Sequence, residues 1–388
     1  MIMKAPRTFT GEDTVEIDCH GGVYAMNRVL ETVLKNGAQI AEPGEFTKRA
    51  FLNGRIDLSQ AEAVIDVIQA KNEYALKSSM NQLRGSVLKA IKGIREEIIY
   101  HIAYIESALD DPEHISVDGY GETLGEAVQK QKEQIKRLLA KSSEGKMIRE
   151  GIKTVILGKP NAGKSSLLNM LIGENKAIVT NIAGTTRDIL EEYITLEGIS
   201  LKLIDTAGIR STEDIVEQIG VGKARETAKD ADLILYVVDS SMPLDENDED
   251  IMKMLEDKKC IVLYNKTDLK AAISQEQIRE SIKHPVIPIS AKEETGMEEL
   301  GKQIKNMFFS GEISFNDEVY ITNARHKAAL EEALSSLELV ENSIEMGMPE
   351  DFYSIDLMNA YESLGKILGE SLGEDLVNEI FSKFCTGK

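Results

Sequence analysis

Eight successive residues, Gly158-Lys159-Pro160-Asn161-Ala162-Gly163-Lys164-Ser165, have the spacing of a phosphate-binding loop. Two glycines let the backbone curl so that successive N–H groups, Ala162 and Gly163 among them, converge on an anion. Lys164 brings a cation to the outer phosphates, and the Ser165 hydroxyl, followed by Ser166, can reach a magnesium ion. An apolar run, Thr154 to Leu157, reads as the strand before the loop, and a helix is predicted from Lys164 to about Leu171. That strand–loop–helix context separates a working phosphate loop from a glycine-rich turn.

Three further motifs follow in order and specify the base. Asp205-Thr206-Ala207-Gly208 ends an apolar strand, Leu201 to Ile204. There a carboxylate can reach magnesium through water, and Gly208 can bring its N–H against a terminal phosphate. Asn265-Lys266-Thr267-Asp268 ends the strand Cys260 to Tyr264. Asp268 can accept two hydrogen bonds from the N–H and amino groups of guanine, and adenine offers no such pair. A site built around those bonds rejects a base without them by roughly 10⁴ or more. Ser290-Ala291-Lys292 ends the strand Val286 to Ile289, where a backbone N–H can meet the guanine carbonyl. The ligand that fits is GTP, not ATP. Between the first two motifs, Gly184-Thr185-Thr186-Arg187-Asp188 sits where Thr186 can complete the magnesium shell while a γ-phosphate is present. This is the order–disorder logic of a switch segment.

These loops need rigid carriers. Apart from a hairpin at about Leu190–Leu196 with Ser200–Ile204, turning at Gly198, strands alternate with helices from about Lys153 to Phe309. That pattern predicts a doubly wound, mostly parallel sheet with ligand loops at the strand carboxyl ends. On either side lie helical patterns. Ser59 with Glu62 reads as a capping box opening a helix with Val64, Ile65, Val67 and Ile68. Leu88, Ile91, Ile94, Ile98, Ile102 and Ile105 form a stripe, as do Leu330, Leu334, Leu337 and Ile344, then Leu364 with Leu368, and Leu376 with Ile380. The economical architecture is an α/β GTPase-type domain (P-loop, Ras-like) inserted into an α-helical domain, preceded by a partial α+β segment. The boundaries expected are 1–52, 53–150, 151–310 and 311–388. In the first segment, Thr14 to Asp18 alternates like a strand, ends at Gly21-Gly22, and a helix follows from Ala25 to Lys35.

At 388 residues the chain has material for two or three domains. Cys19, Cys260 and Cys385 stand far apart with no metal spacing, which fits a reducing cytosol. No apolar run approaches the ~20 residues that span a bilayer, so a cytoplasmic protein without membrane contact is expected. The net charge of −21 argues against unspecific nucleic-acid binding. The densest basic stretch, Lys130 to Lys153, is interleaved with Glu133, Glu144 and Glu150 and reads as a solvated helix face.

One position is at odds with ordinary GTPase chemistry. Where many small GTPases have a glutamine after Asp-x-x-Gly to orient the attacking water, this chain has Ile209. From end to end, the sequence resembles the MnmE (TrmE) family of tRNA-modification GTPases. Beyond the GTP motifs, the likeness rests on Phe9-Thr10-Gly11-Glu12-Asp13 with Cys19-His20-Gly21-Gly22, Pro43-Gly44-Glu45-Phe46, Arg49-Ala50-Phe51-Leu52-Asn53-Gly54 and the terminal Cys385-Thr386-Gly387-Lys388. The resemblance implies a potassium ion beside the phosphates, held by Asn161 and by carbonyls of the loop containing Thr180, Ile182, Thr185 and Thr186. It implies G domains that pair across a homodimer, and Glu217 organising the water; Arg210 joins it as a catalytic candidate. On residue type alone, Glu217 is an ordinary acid at a helix start.

The same resemblance implies modification of the wobble uridine of certain tRNAs together with an MnmG-type flavoprotein. A tetrahydrofolate derivative supplies one carbon, and an aminomethyl or carboxymethylaminomethyl group is added. The matching folate contacts are Glu16, Arg55 and Lys388, and Cys385 matches a tail cysteine with a proposed chemical role. Family members usually carry further residues before the segment that begins here at Pro6. A shortened N-terminal domain is therefore expected, which bears on folate binding and on dimerisation through that domain. The competing reading is a regulatory RNA-associated or ribosome-assembly GTPase switch. It calls for an appended RNA-binding module, and the sequence shows no Gly-x-x-Gly clamp and no strong basic module.

Overall fold

The structure, a computed structural model, describes residues 1–116, 119–174, 192–204, 228–309, 319–370, 373–382 and 384. Its contacts divide the chain into two units. One comprises Met1–Ala70, Leu76–Gly145 and Asp317–Lys388; the other comprises Lys71–Ala75 and Lys146–Asn316. In chain order the second is inserted into the first.

In the inserted unit, β3 (Ile152–Gly158) lies at the centre of a six-stranded sheet of order β4-β5-β3-β6-β7-β8. The hairpin β4 (Glu192–Leu196) and β5 (Ile199–Leu203) is antiparallel, with Leu196 opposite Ile199. All other neighbours, β6 (Leu233–Asp239), β7 (Cys260–Asn265) and β8 (Val286–Pro288) included, run parallel. All seven residues of β6 are buried, the continuous apolar run of a strand covered on both faces. From β3 the chain builds β5 on one side and β6 on the other. The carboxyl end of β3 is therefore the crevice where open α/β sheets take ligands, and the phosphate loop opens there. The helix after it, α8, runs Lys164–Glu174, one turn longer than expected.

The helical unit is a ring of four long helices: α5 (Ser86–Asp110), α6 (Tyr120–Ala140), α12 (Ala324–Glu345) and α13 (Glu350–Leu368). The stripe of isoleucines on α5 is buried against Leu124, Val128 and Ile135 of α6 and against Leu330, Leu337, Leu357 and Leu364. A second cluster joins α3 (Leu58–Gln69) and α14 (Glu374–Ser382) through Leu58, Ala61, Ile65, Val377, Phe381 and the following Phe384, with Phe51 of α2 (Glu45–Leu52) packed against it.

Three sequence expectations are corrected here. Helix α3 is capped by Asp57, whose carboxylate accepts from the N–H groups of Ser59 and Gln60, while the Gln60 side chain accepts from the Asp57 N–H. The earlier, stronger cap leaves Ser59 and Glu62 buried, with Glu62 turned to α12. The strand expected from Thr14 to Asp18 shrinks to β2 (Thr14–Val15), because its partner β1 (Ile2–Met3) is only two residues long. The helix after it, α1, spans Val23–Lys35 and buries none of its side chains. On α14 the inward residues are Val377 and Phe381; Leu376 is exposed and Ile380 only borders the cluster. Stripes of two residues leave helix phase open to such an error.

Candidate functional site

The phosphate loop is shaped by contacts within itself and with β7. Lys164 Nζ donates to the carbonyls of Gly158 (2.8 Å) and Lys159 (2.6 Å), and burial holds this ammonium below the usual lysine range. A cation pressed into a partly desolvated loop of N–H groups gains most from an anion. Asn161 sits in the left-handed region with φ 60° and is exposed, a conformation that asparagine tolerates better than branched residues. Its neutral amide oxygen is a hard donor suited to an alkali cation. Gly163, at φ +102°, has no room for a side chain: a Cβ there would lie 2.2 Å from Asn265 Nδ2.

Asn265 explains that closeness. Its Nδ2 donates to the Ala162 carbonyl at 2.8 Å, and its Oδ1 accepts from the Ala291 N–H at 3.1 Å. One buried amide thereby ties the phosphate loop to the Ser290-Ala291-Lys292 loop. Next to it, Ser290 Oγ donates to Asp268 Oδ1 at 2.8 Å and fixes the carboxylate assigned to guanine. Thr267 Oγ1 donates to the Ile289 carbonyl at 3.0 Å, locking the two loops once more. Three motifs, with Asn265 and Ala162 103 positions apart, thus form one hydrogen-bonded frame at the carboxyl edge of the sheet.

The family model of the MnmE helical domain matches residues 58–385, and that of the GTP-binding protein TrmE N-terminus matches residues 1–55. The chain belongs to the tRNA modification GTPase MnmE family. The tRNA modification GTPase MnmE of Lachnoclostridium phytofermentans is 60% identical over 388 residues, 100% of this chain and 85% of that one. Its counterparts in Geobacillus kaustophilus and Clostridioides difficile are each 49% identical, over 100% of this chain and 84% of theirs.

The other MnmE-type candidates divide into described and undescribed positions. Thr180, Ile182, Thr185, Thr186, Asp205, Thr206, Ala207, Gly208, Ile209, Arg210, Glu217, Cys385 and Lys388 lie outside the described residues. Ser165 and Ser166 open α8, and Lys292 is exposed just after Ala291. In the N-terminal segment, Arg55 is exposed and its Nε donates to the Thr8 carbonyl at 3.2 Å. Glu16 is exposed just past β2, its N–H donating to the Met1 carbonyl at 2.9 Å. No contact between the two is seen among the described residues. The Phe9–Asp13 motif is a turn closed by the residues just before it. Thr8 Oγ1 donates to the Glu12 carbonyl, and Asp13 accepts from Lys4 and the Ala5 N–H.

Sequence reading overlooked Asp239, at the end of β6. Burial alone would raise its carboxyl, but Lys266 Nζ at 2.6 Å and both donors of Ser241 hold it below the usual range. The pair anchors Lys266, whose own φ of 65° places it in the left-handed region. The available signal was an aspartate at the carboxyl end of a wholly apolar strand. In the basic stretch, Lys130 pairs with Glu97, Lys132 with Glu341, Arg137 with Glu133 and Lys146 with Glu150. Lys130, Arg137 and Lys146 are exposed and matched by carboxylates, as on a solvated helix face, whereas Lys132 is buried against Glu341 of α12, which corrects that expectation there. Among the described residues, no helix is long and apolar enough to cross a membrane.

Proposed function

We propose that this chain is a GTP hydrolase of tRNA modification whose turnover depends on potassium. In this reading it works in the cytoplasm with an MnmG-type flavoprotein to modify the wobble uridine, using a one-carbon unit from a tetrahydrofolate derivative. Family membership supports the GTPase and tRNA parts. The single observation that carries GTP is the Asn265 amide, which bridges Ala162 and Ala291 beside an Asp268 held by Ser290.

In this reading the loop N–H groups and Lys164 hold the phosphates, and Ser165 with Thr186 holds magnesium. Asp268 and a backbone N–H of the Ser290-Ala291-Lys292 loop read guanine. Asn161 and the carbonyls of Thr180, Ile182 and Thr185 would hold potassium, whose charge beside the transferred phosphoryl group would offset the lack of a polar residue at Ile209. Glu217 orients the attacking water, with Arg210 beside it, and the paired G domains of a homodimer complete the site. Glu16, Arg55 and Lys388 are the folate candidates, and Cys385 the tail thiol.

The test compares GTP turnover in potassium and sodium salts at equal ionic strength. Faster hydrolysis in potassium is expected, and equal rates would defeat the potassium reading. Glu217→Ala should keep nucleotide binding and lose turnover; a large loss of binding would point to a structural role. Wobble-nucleoside mass analysis in a deletion strain, with and without this chain, separates a modification enzyme from a regulatory switch.

A further inference from the structure

Lys159, the second residue of the phosphate loop, has no part in the nucleotide chemistry described so far. Its ammonium lies 2.6 Å from Asp248 Oδ2 and 3.1 Å from Asp245 Oδ2, at the start of α9 (Glu246–Leu255). Asp248 is almost completely buried. Its Oδ1 accepts from the Tyr236 hydroxyl at 2.8 Å, and Oδ2 also accepts from the Asp245 N–H at 3.1 Å. Tyr236 stands in β6 with no exposed surface. The backbone of Lys159 turns the other way: its carbonyl accepts from Lys164 Nζ at 2.6 Å and from the Ala162 N–H at 3.3 Å. One residue therefore links a buried carboxylate to the cation and the amides of the loop.

We infer that Lys159, held by Asp248 and Tyr236, is a positioning residue for the nucleotide: its side chain pins the first half of the phosphate loop, so that Lys164 and the loop amides are presented together. The inference rests on the GTPase reading. The physical argument is one of rigidity. Pro160 and Asn161 follow at once and gain no anchor from the regular strand, so without the tether the Lys159 carbonyl swings with them. A hydrogen-bonded, desolvated Lys–Asp pair is a strong and directional anchor. Such a tether acts on ground-state binding, and it touches no reacting atom.

The experiment titrates GDP with Mg2+ into the full chain and measures GTP turnover in potassium. Lys159→Met and Asp248→Asn are each expected to weaken GDP binding about tenfold and to raise KM for GTP by the same factor, with kcat within about twofold. The double substitution removes both partners and strands no buried charge, so it keeps the fold while showing the same loss. Lys159→Arg, which keeps a cation within reach of both carboxylates, should restore binding to within about threefold of the original. Unchanged GDP affinity in the double variant, or a fall in kcat at constant KM, overturns the inference. If the unaltered chain does not bind GDP with Mg2+, the GTPase reading itself fails and this inference goes with it.

Discussion

Two buried polar joints hold the two units, and they are made of opposite materials. In the sheet unit the joint is neutral: the Asn265 amide, donating to Ala162 and accepting from Ala291. In the helical unit it is ionic. Glu62 of α3 accepts from Arg325 Nη2 at 2.8 Å, from Arg325 Nε at 3.1 Å and from His326 Nε2 at 2.7 Å. Arg325 also reaches the carbonyls of Lys366 and Ile367 at the end of α13. Three helices are thus tied through Arg325, which joins the Glu62 carboxylate of α3 to the carbonyls at the end of α13. A neutral amide costs less to desolvate and adds no field of its own, which suits a frame that must receive a polyanion. A charged joint is tolerable only when every member is present, because removing one strands a buried charge.

The largest expected effect breaks the ionic joint. Glu62→Ala leaves Arg325 and His326 without their carboxylate and should lower stability by about 3–5 kcal/mol. The measurement is the first transition in urea unfolding. Below that transition, binding of GDP with Mg2+ should persist, because nothing in the neutral joint has changed. A loss under 1 kcal/mol would mean that the cluster holds together without its acid.

Acid attacks the same joint by a different route. Burial would raise the Glu62 carboxyl, but His326 and Arg325 outweigh it and bring the pKa down to about 2. With a folded value below the unfolded one near 4.5, the group contributes stability that is fully present above that unfolded value. This contribution is lost as the pH falls toward 2, and it amounts to on the order of 3 kcal/mol. Unfolding midpoints measured from pH 6 down to pH 2 should decline across that window, and Glu62→Gln should flatten the decline. Equal slopes for the two chains would remove Glu62 from the account.

The two joints also differ in how far they could be read from sequence. The neutral one was largely legible: Asn265, Asp268 and Ser290 belong to short motifs whose residue types are dictated by a known ligand shape. The bonds between them, Asn265 to Ala162 and Ala291 and Ser290 to Asp268, needed the fold, since they join separate loops. The ionic joint was invisible. Glu62 was read as the tail of a capping box, because a serine three residues earlier satisfies that local rule, while Asp57 satisfies it better and releases Glu62 to a partner 263 residues away. Helix stripes of six residues, as on α5, fixed the buried face correctly. Of the two stripes of two, Leu364 with Leu368 on α13 marked the buried face and Leu376 with Ile380 on α14 did not. Lys159 and Asp239 were missed for the same reason as Glu62, because their partners come from other elements.

Gly163→Ala strikes the neutral joint directly. The added Cβ at 2.2 Å from Asn265 Nδ2, at a φ of +102°, must expel the amide or unwind the loop. About hundredfold weaker binding of GDP with Mg2+ is expected, some 2.7 kcal/mol, with the urea transition of the helical unit unmoved. Retained affinity would show that the Asn265 bridge is dispensable to the site.

Ser290→Ala is the finest cut. Ser290 Oγ donates to Asp268 at 2.8 Å and accepts from the Glu293 N–H at 3.1 Å, so its loss frees the carboxylate proposed to read guanine to rotate without touching the phosphate loop. GDP affinity should fall about five- to tenfold, near 1 kcal/mol, the scale of one hydrogen bond that only orients. The base should report the change more sharply than the phosphates do. Inosine diphosphate lacks the exocyclic amino group, so it already forgoes one of the two bonds to Asp268 and should suffer less from a misaligned carboxylate. The ratio of GDP to inosine diphosphate affinity therefore narrows in the variant. If both nucleotides weaken by the same factor, Ser290 supports the loop as a whole and Asp268 is oriented by something else.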